Sequence, residues 1–251
     1  MDLQKASMWK RMAAWILDVI LTAVLAVGFG VLLSTVLNFD GYYDSLMAGY
    51  DRYESAYSVE FDITQDAYEA LDETQKEAYN TVYNALITDQ QVLKDYNMVI
   101  NLSLVITSVG ILLAVLCLEF AVPLWLKNGQ TVGKKAFGIG LTTAECVKVN
   151  PMQQFVRALL GKYTIETMIP VYIVLMFLWG TMDMTGSIVL GGLALLQLIC
   201  VAVTRNHTAI HDMLAGTVAV DLASQKIFKN PQERVEYIKR IAAEQAQRQD
   251  Y

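Results

Sequence analysis

The run from Met12 to Leu37, MAAWILDVILTAVLAVGFGVLLSTVL, holds a single ionisable side chain, Asp18, in an otherwise apolar stretch. An apolar helix needs about 20 residues to cross the ~30 Å hydrocarbon core of a bilayer. This run exceeds that length, so it reads as a membrane span. Lys5, Lys10 and Arg11 precede it as they would a signal peptide. It is too long for one, however, and lacks a small-x-small exit, so it is kept as a mature span.

Three further stretches meet or approach the same length, at 98–126, 164–182 and 186–204. The last two are separated only by Met182-Asp183-Met184-Thr185-Gly186, which makes them an antiparallel pair. Composition agrees: 55% of the 251 residues are hydrophobic and 18% charged, and the mean hydropathy is +0.36. A net charge of −6 removes the electrostatic case for nucleic acid as a partner. Three cysteines, two of them inside apolar runs, exclude a disulfide scaffold. The expected fold is all-α: a four-span transmembrane helix bundle with a helical acidic extracytoplasmic insertion and a cytoplasmic C-terminal helix. Its parts are 1–37, the N-terminal tail and first span; 38–97, the insertion; 98–222, spans two to four with a cytoplasmic loop at 127–163; and 223–251, the helical tail.

Orientation follows from Lys and Arg. They crowd the N-terminal tail, the 127–163 segment and the chain after 204, whereas 38–97 carries only Arg52, Lys76 and Lys94. The positive-inside rule places both termini in the cytoplasm of a cell-membrane protein and 38–97 outside. That segment has thirteen acidic residues and nine of the thirteen tyrosines, giving it a net charge of −10 against +4 for the rest of the chain. Tyr68, Leu71, Tyr79, Val82, Tyr83, Leu86 and Leu93 recur near helical spacing, so helices are expected there. Thr88-Asp89-Gln90-Gln91 resembles a capping box from which a fresh helix runs into the second span. The segment reads either as a solvated acidic cap or as a cation-attracting or partner-docking surface. In the tail, Asn230-Pro231-Gln232-Glu233 marks a helix start.

Ionisable side chains in spans cost about 2.5 to 3.5 kcal/mol on insertion scales, so each is a functional candidate. Arg11 and Asp18 share a face of the first span. Glu119 and Glu166 each stand four residues before a proline, Pro123 and Pro170. A proline cannot donate to the carbonyl at i−4, so each carboxylate is expected beside a freed backbone oxygen, a pairing that suits a proton or a small hard cation. Either Asp18, Glu119 and Glu166 converge as an ion site, or each packs against a cation such as Arg157, Lys162 or Arg205. Asn128-Gly129-Gln130-Thr131-Val132-Gly133-Lys134-Lys135 fails as a phosphate loop, because Asn128 and Lys135 occupy positions that need Gly and Ser or Thr. Lys134 and Lys135 are expected on lipid headgroups or on a carboxylate. His207 and His211 lack a third ligand for zinc, and His211 with Asp212 reads as a pH-responsive pair at the inner mouth, beside Arg11, Arg157 and Arg205. No catalytic motif or cofactor fingerprint occurs, so neither an enzyme nor a bound cofactor or metal is expected.

Taken together, Arg11, Asp18, Gly129-Gln130-Thr131-Val132-Gly133-Lys134-Lys135, Arg157 and His211-Asp212-Met213-Leu214-Ala215-Gly216-Thr217 resemble the RDD family, named for one arginine and two aspartates. By position these fall on Arg11, Asp18 and Asp212. The resemblance covers about 1–37 and 98–222 and implies an integral membrane protein. Transport has been proposed for the family, and sodium/proton antiport attributed to some members. The long acidic insertion departs from the usual pattern. Two functions follow as expectations: a monovalent cation/proton transporter using Asp18, Glu119 and Glu166, with sodium or another monovalent cation and protons as its ligands, or a non-transporting scaffold docking a partner through the Tyr-rich segment. Four spans make a thin bundle, so transport implies a homo-oligomer in the lipid bilayer.

Overall fold

The structure, a computed structural model, describes residues 3–126, 129–178, 184–204 and 208–249. Asp183, Arg205 and His207 lie outside the described residues. In chain order the elements are α1 (Met8–Val36), α2 (Phe39–Tyr57), α3 (Gln65–Glu69), α4 (Glu73–Thr88), α5 (Gln90–Leu126), α6 (Val132–Ala136), β1 (Ile139–Thr143), α7 (Pro151–Phe177), α8 (Met184–Val203), α9 (Ile210–Ala215), β2 (Thr217–Asp221) and α10 (Pro231–Gln249). Three of these helices, α1, α5 and α7, are long and apolar enough to cross a membrane, and Gly186–Cys200 within α8 is a shorter apolar helix.

The chain divides into two compact units. The second, Val27–Gly110, holds the acidic segment, and its helices are capped as its polar residues dictate. Asp72 accepts from the Gln75 amide at 2.8 Å while the Gln75 side chain accepts from the Asp72 amide at 3.0 Å, starting α4. Asp89 accepts from the amides of Gln91 and Val92, and α5 then runs on without a break. Leu46, Leu86 and Val92 form the buried core of this unit. Phe61 meets Tyr50, Tyr79 and Tyr83 edge-on at ring-centroid distances of 5.9, 5.7 and 6.2 Å, so much of the tyrosine content is spent on internal packing.

The first unit, Met1–Ala26 with Ile111–Tyr251, departs from the all-α expectation. Strands β1 and β2 pair antiparallel, Ile139 opposite Asp221 through Thr143 opposite Thr217. Ile139, Leu141, Val218 and Val220 are buried. From 129 to 163 the chain thus carries a helix, a strand and the start of α7, which begins at Pro151, well before the expected span at 164. Asn150 caps it by accepting from the Gln153 amide at 2.7 Å, with Pro151 at the first helical position. Just before the two prolines the backbone widens. Residues Leu116–Ala121 of α5 and Arg157–Met168 of α7 wind in π turns. The amide of Val122 reaches the Cys117 carbonyl, and that of Ile169 the Thr164 carbonyl. Both π stretches end two residues before their proline.

Candidate functional site

The first unit buries a charge network centred on Arg157, which is 1% exposed. Its Nη1 donates to Glu119 Oε2 on α5 at 2.9 Å, and its Nε to Asp212 Oδ1 on α9 at 2.8 Å. Thr217 at the head of β2 also donates to Asp212 Oδ1, at 3.1 Å. Lys162 Nζ lies 3.9 Å from Glu119 and 3.8 Å from Glu166. Glu166 accepts from Gln197 of α8 at 3.3 Å and meets His211 Nδ1 at 2.7 Å. The π turns set this alignment. An α-helix would rotate Lys162 about 140° away from Arg157, whereas the wider turn of a π stretch, with its i to i+5 hydrogen bonds, brings the two towards the same side. Gly161 lets α9 approach, for a Cβ there would meet the Cα of His211 at 2.5 Å.

Asp18 is 5% exposed and is held differently. The Thr131 hydroxyl donates to Oδ2 at 2.5 Å and the Gly133 amide to Oδ1 at 2.7 Å. Thr131 also caps α6, accepting from the Lys134 amide at 3.3 Å. The glycine-rich stretch that fails as a phosphate loop is therefore a cradle for a carboxylate of the first span. Among the described residues no cation lies within ion-pair distance of Asp18, whereas Glu119, Glu166 and Asp212 each have a basic side chain within 4 Å.

A cavity of about 270 Å³ opens between these groups, lined among others by Arg11, Asp18, Lys134, Arg157, Lys162 and Asp212. Arg11 is half-buried there, and its guanidinium has no hydrogen bond or ion pair among the described residues. Lys135 is exposed. The structure thus brings Glu119, Glu166, Arg157, His211 and Asp212 into one network and sets Asp18 on the cavity wall with its own donors, while Arg205 lies outside the described residues. Thr131, Gly133, Gln197 and Thr217 were not singled out as partners from the sequence. A hydroxyl or amide donor leaves no charge pattern to find, and only the spacing of the 129–135 motif pointed to that place. Among the described residues no group of three His, Cys, Asp or Glu side chains is placed to hold a metal ion.

Electrostatics follow from burial and contact. Burial pushes the His211 ring below its ordinary value, and Arg157 and Lys162 add to this against the opposing pull of Asp212 and Glu166. The neutral ring, with Nδ1–H directed to Glu166, leaves Nε2 3.4 Å from Asp212 Oδ1, a seat for one proton. For Asp212, burial alone would raise the carboxyl, but the Arg157 guanidinium, which also donates to it, and Lys134 outweigh it and hold it well below the usual carboxylate range. Lys134 is lowered to about 8 by burial and then by Arg157. Because the folded state holds His211 neutral, the unfolded chain binds more protons below pH about 6.5, so stability falls as pH drops through that range. Thermal unfolding in detergent between pH 7.5 and 5 is expected to show a falling midpoint, with a flatter profile in His211→Gln. A midpoint that rises on acidification would contradict a neutral His211.

The RDD family model matches residues 5–216 of the chain. No curated protein and no solved structure matches it.

Proposed function

Since the chain belongs to the RDD family and carries helices apolar and long enough to span a membrane, we propose that it is a transporter exchanging a monovalent cation for protons, with Asp18 as the exchanging carboxylate. The observation that carries this reading is the contrast among the buried carboxylates. Glu119, Glu166 and Asp212 are already met by Arg157, Lys162 or His211, and a sodium ion would have to displace a protein cation to reach them. Asp18 lines the cavity with neutral donors only. Such an oxygen pair can exchange a proton for a hard cation without breaking an ion pair. Glu119 and Glu166 then hold the fixed counter-charges, and the π turns that place them fit the association of such bulges with functional sites.

In this reading the termini face the cytoplasm, as the distribution of Lys and Arg favours, and the transporting unit is a homo-oligomer. In proteoliposomes loaded with a pH-sensitive dye, an inward sodium gradient should drive proton efflux in the wild type. The signal should vanish in Asp18→Asn, which keeps the shape and one acceptor for Thr131 and Gly133. Equal rates in the two proteins would end the proposal. In the scaffold alternative, Tyr50 and Tyr79 pack on Phe61, and the exposed Tyr43, Tyr57, Tyr83 and Tyr96 would be the surface a partner meets.

A further inference from the structure

The cavity lining is electrostatically one-sided. Four cationic side chains, Arg11, Lys134, Arg157 and Lys162, line it with only two carboxylates, Asp18 and Asp212, because Glu119 and Glu166 are not part of the wall. A guanidinium carries five N–H donors. In Arg157, Nε and Nη1 are taken by Asp212 and Glu119, but Nη2 is buried and has no acceptor among the described residues. A buried charged donor without a partner is costly, and native proteins keep few of them. The unpaired guanidinium of Arg11 lines the same space.

We propose that this cavity binds a small monovalent anion, a halide or short carboxylate, held by Nη2 of Arg157 and the guanidinium of Arg11. The low value of Lys134, about 8, agrees: burial and then Arg157 already disfavour one more positive charge there, and an anion relieves that field. Charge selects a monovalent ligand. With His211 neutral, the four cations balance Asp18, Glu119, Glu166 and Asp212, so one added negative charge is offset by a single cation at Asp18 or a single proton on His211. A divalent anion would leave an excess in a low-dielectric site. Size fits as well, since about 270 Å³ accommodates a chloride or an acetate with several waters at about 30 Å³ each. Placing the anion beside the exchanging carboxylate rests on the transport reading; the binding itself does not.

Trp15 also lines the cavity and supplies the probe. In detergent-solubilised full-length protein with Trp9, Trp125 and Trp179 replaced by Phe, iodide should quench Trp15 with a saturable component that chloride or formate competes away. Arg11→Gln, which breaks no ion pair among the described residues, should lose that component, and Arg11→Lys should keep part of it. Linear quenching, equal in all variants, would overturn the proposal. So would competition by phosphatidylglycerol in mixed micelles but not by chloride or formate, since the wall would then be a lipid headgroup site. Saturable quenching in a protein whose sodium/proton exchange is indifferent to Asp18→Asn would retain the anion site and sink the transport reading alone.

Discussion

Arg157→Ala is expected to prevent the first unit from reaching its folded state. The substitution removes the partner of Glu119 and of Asp212 at once, leaving two carboxylates, 4% and 3% exposed, with Lys162 Nζ at 3.9 Å from the first and only the neutral His211 ring at 3.4 Å from the second. Breaking one buried pair by removing a partner costs about 3–5 kcal/mol, and whole domains are stable by only about 5–15 kcal/mol. The loss is therefore comparable to the total. It also removes the link between α5, α7 and α9, the three elements that meet at this guanidinium. The readout is the yield of monodisperse protein on size exclusion in mild detergent, which should collapse. The discriminating variant is the triple change Arg157→Met, Glu119→Gln, Asp212→Asn. Replacing a buried ionic cluster as a whole is far less damaging than orphaning part of it, so folding should largely return. Wild-type behaviour of Arg157→Ala would show that the ion pairs contribute little, and failure of the triple variant would assign Arg157 a packing role instead.

The same residues show how far the chain could be read before its structure was known. Three long apolar helices follow from apolar length, although α7 starts at Pro151 rather than 164, and the burial of Asp18 and Glu119 and the partial burial of Glu166 follow because charged groups inside apolar runs turn away from lipid. Of the caps, the helix start at Thr88-Asp89-Gln90-Gln91 was read from local spacing, while those at Asp72 and Asn150 were not singled out. The π register of Arg157–Met168 was not, because helical periodicity assumes 3.6 residues per turn, and on that assumption Arg157 and Lys162 diverge. Nor was the sheet. Five residues at Ile139–Thr143 are too few for alternation to stand out, and their partner strand lies more than seventy residues further on. A resemblance to the family named Asp212 and Asp18 as its two aspartates without indicating that one would take an arginine and the other a hydroxyl and a backbone amide.

Gly133→Ala is expected to displace α6 from the first span and disable the site without removing any functional side chain. A Cβ at position 133 would stand 2.2 Å from the carbonyl oxygen of Ala14 and 2.8 Å from Asp18 Oδ1. The first obstacle is backbone inside α1 and cannot rotate away, so α6 itself must move. Overpacking of this kind costs typically about 1–3 kcal/mol, and a shift of α6 also breaks the 2.7 Å bond from the Gly133 amide to Asp18. Asp18 then keeps Thr131 alone and loses the fixed orientation that lets its oxygens face the cavity. Two measurements separate this from simple unfolding. The thermal midpoint of Gly133→Ala should fall only moderately, while sodium-driven proton movement should fall as far as in Asp18→Asn. Gly138→Ala is the control: its Cβ meets nothing within 4 Å, although its φ of +67° also disfavours a side chain, so it should lose stability but retain exchange by the surviving folded protein. If Gly133→Ala transports normally, the cradle around Asp18 is not needed to orient it, and the close approach of α6 to α1 is a matter of packing alone.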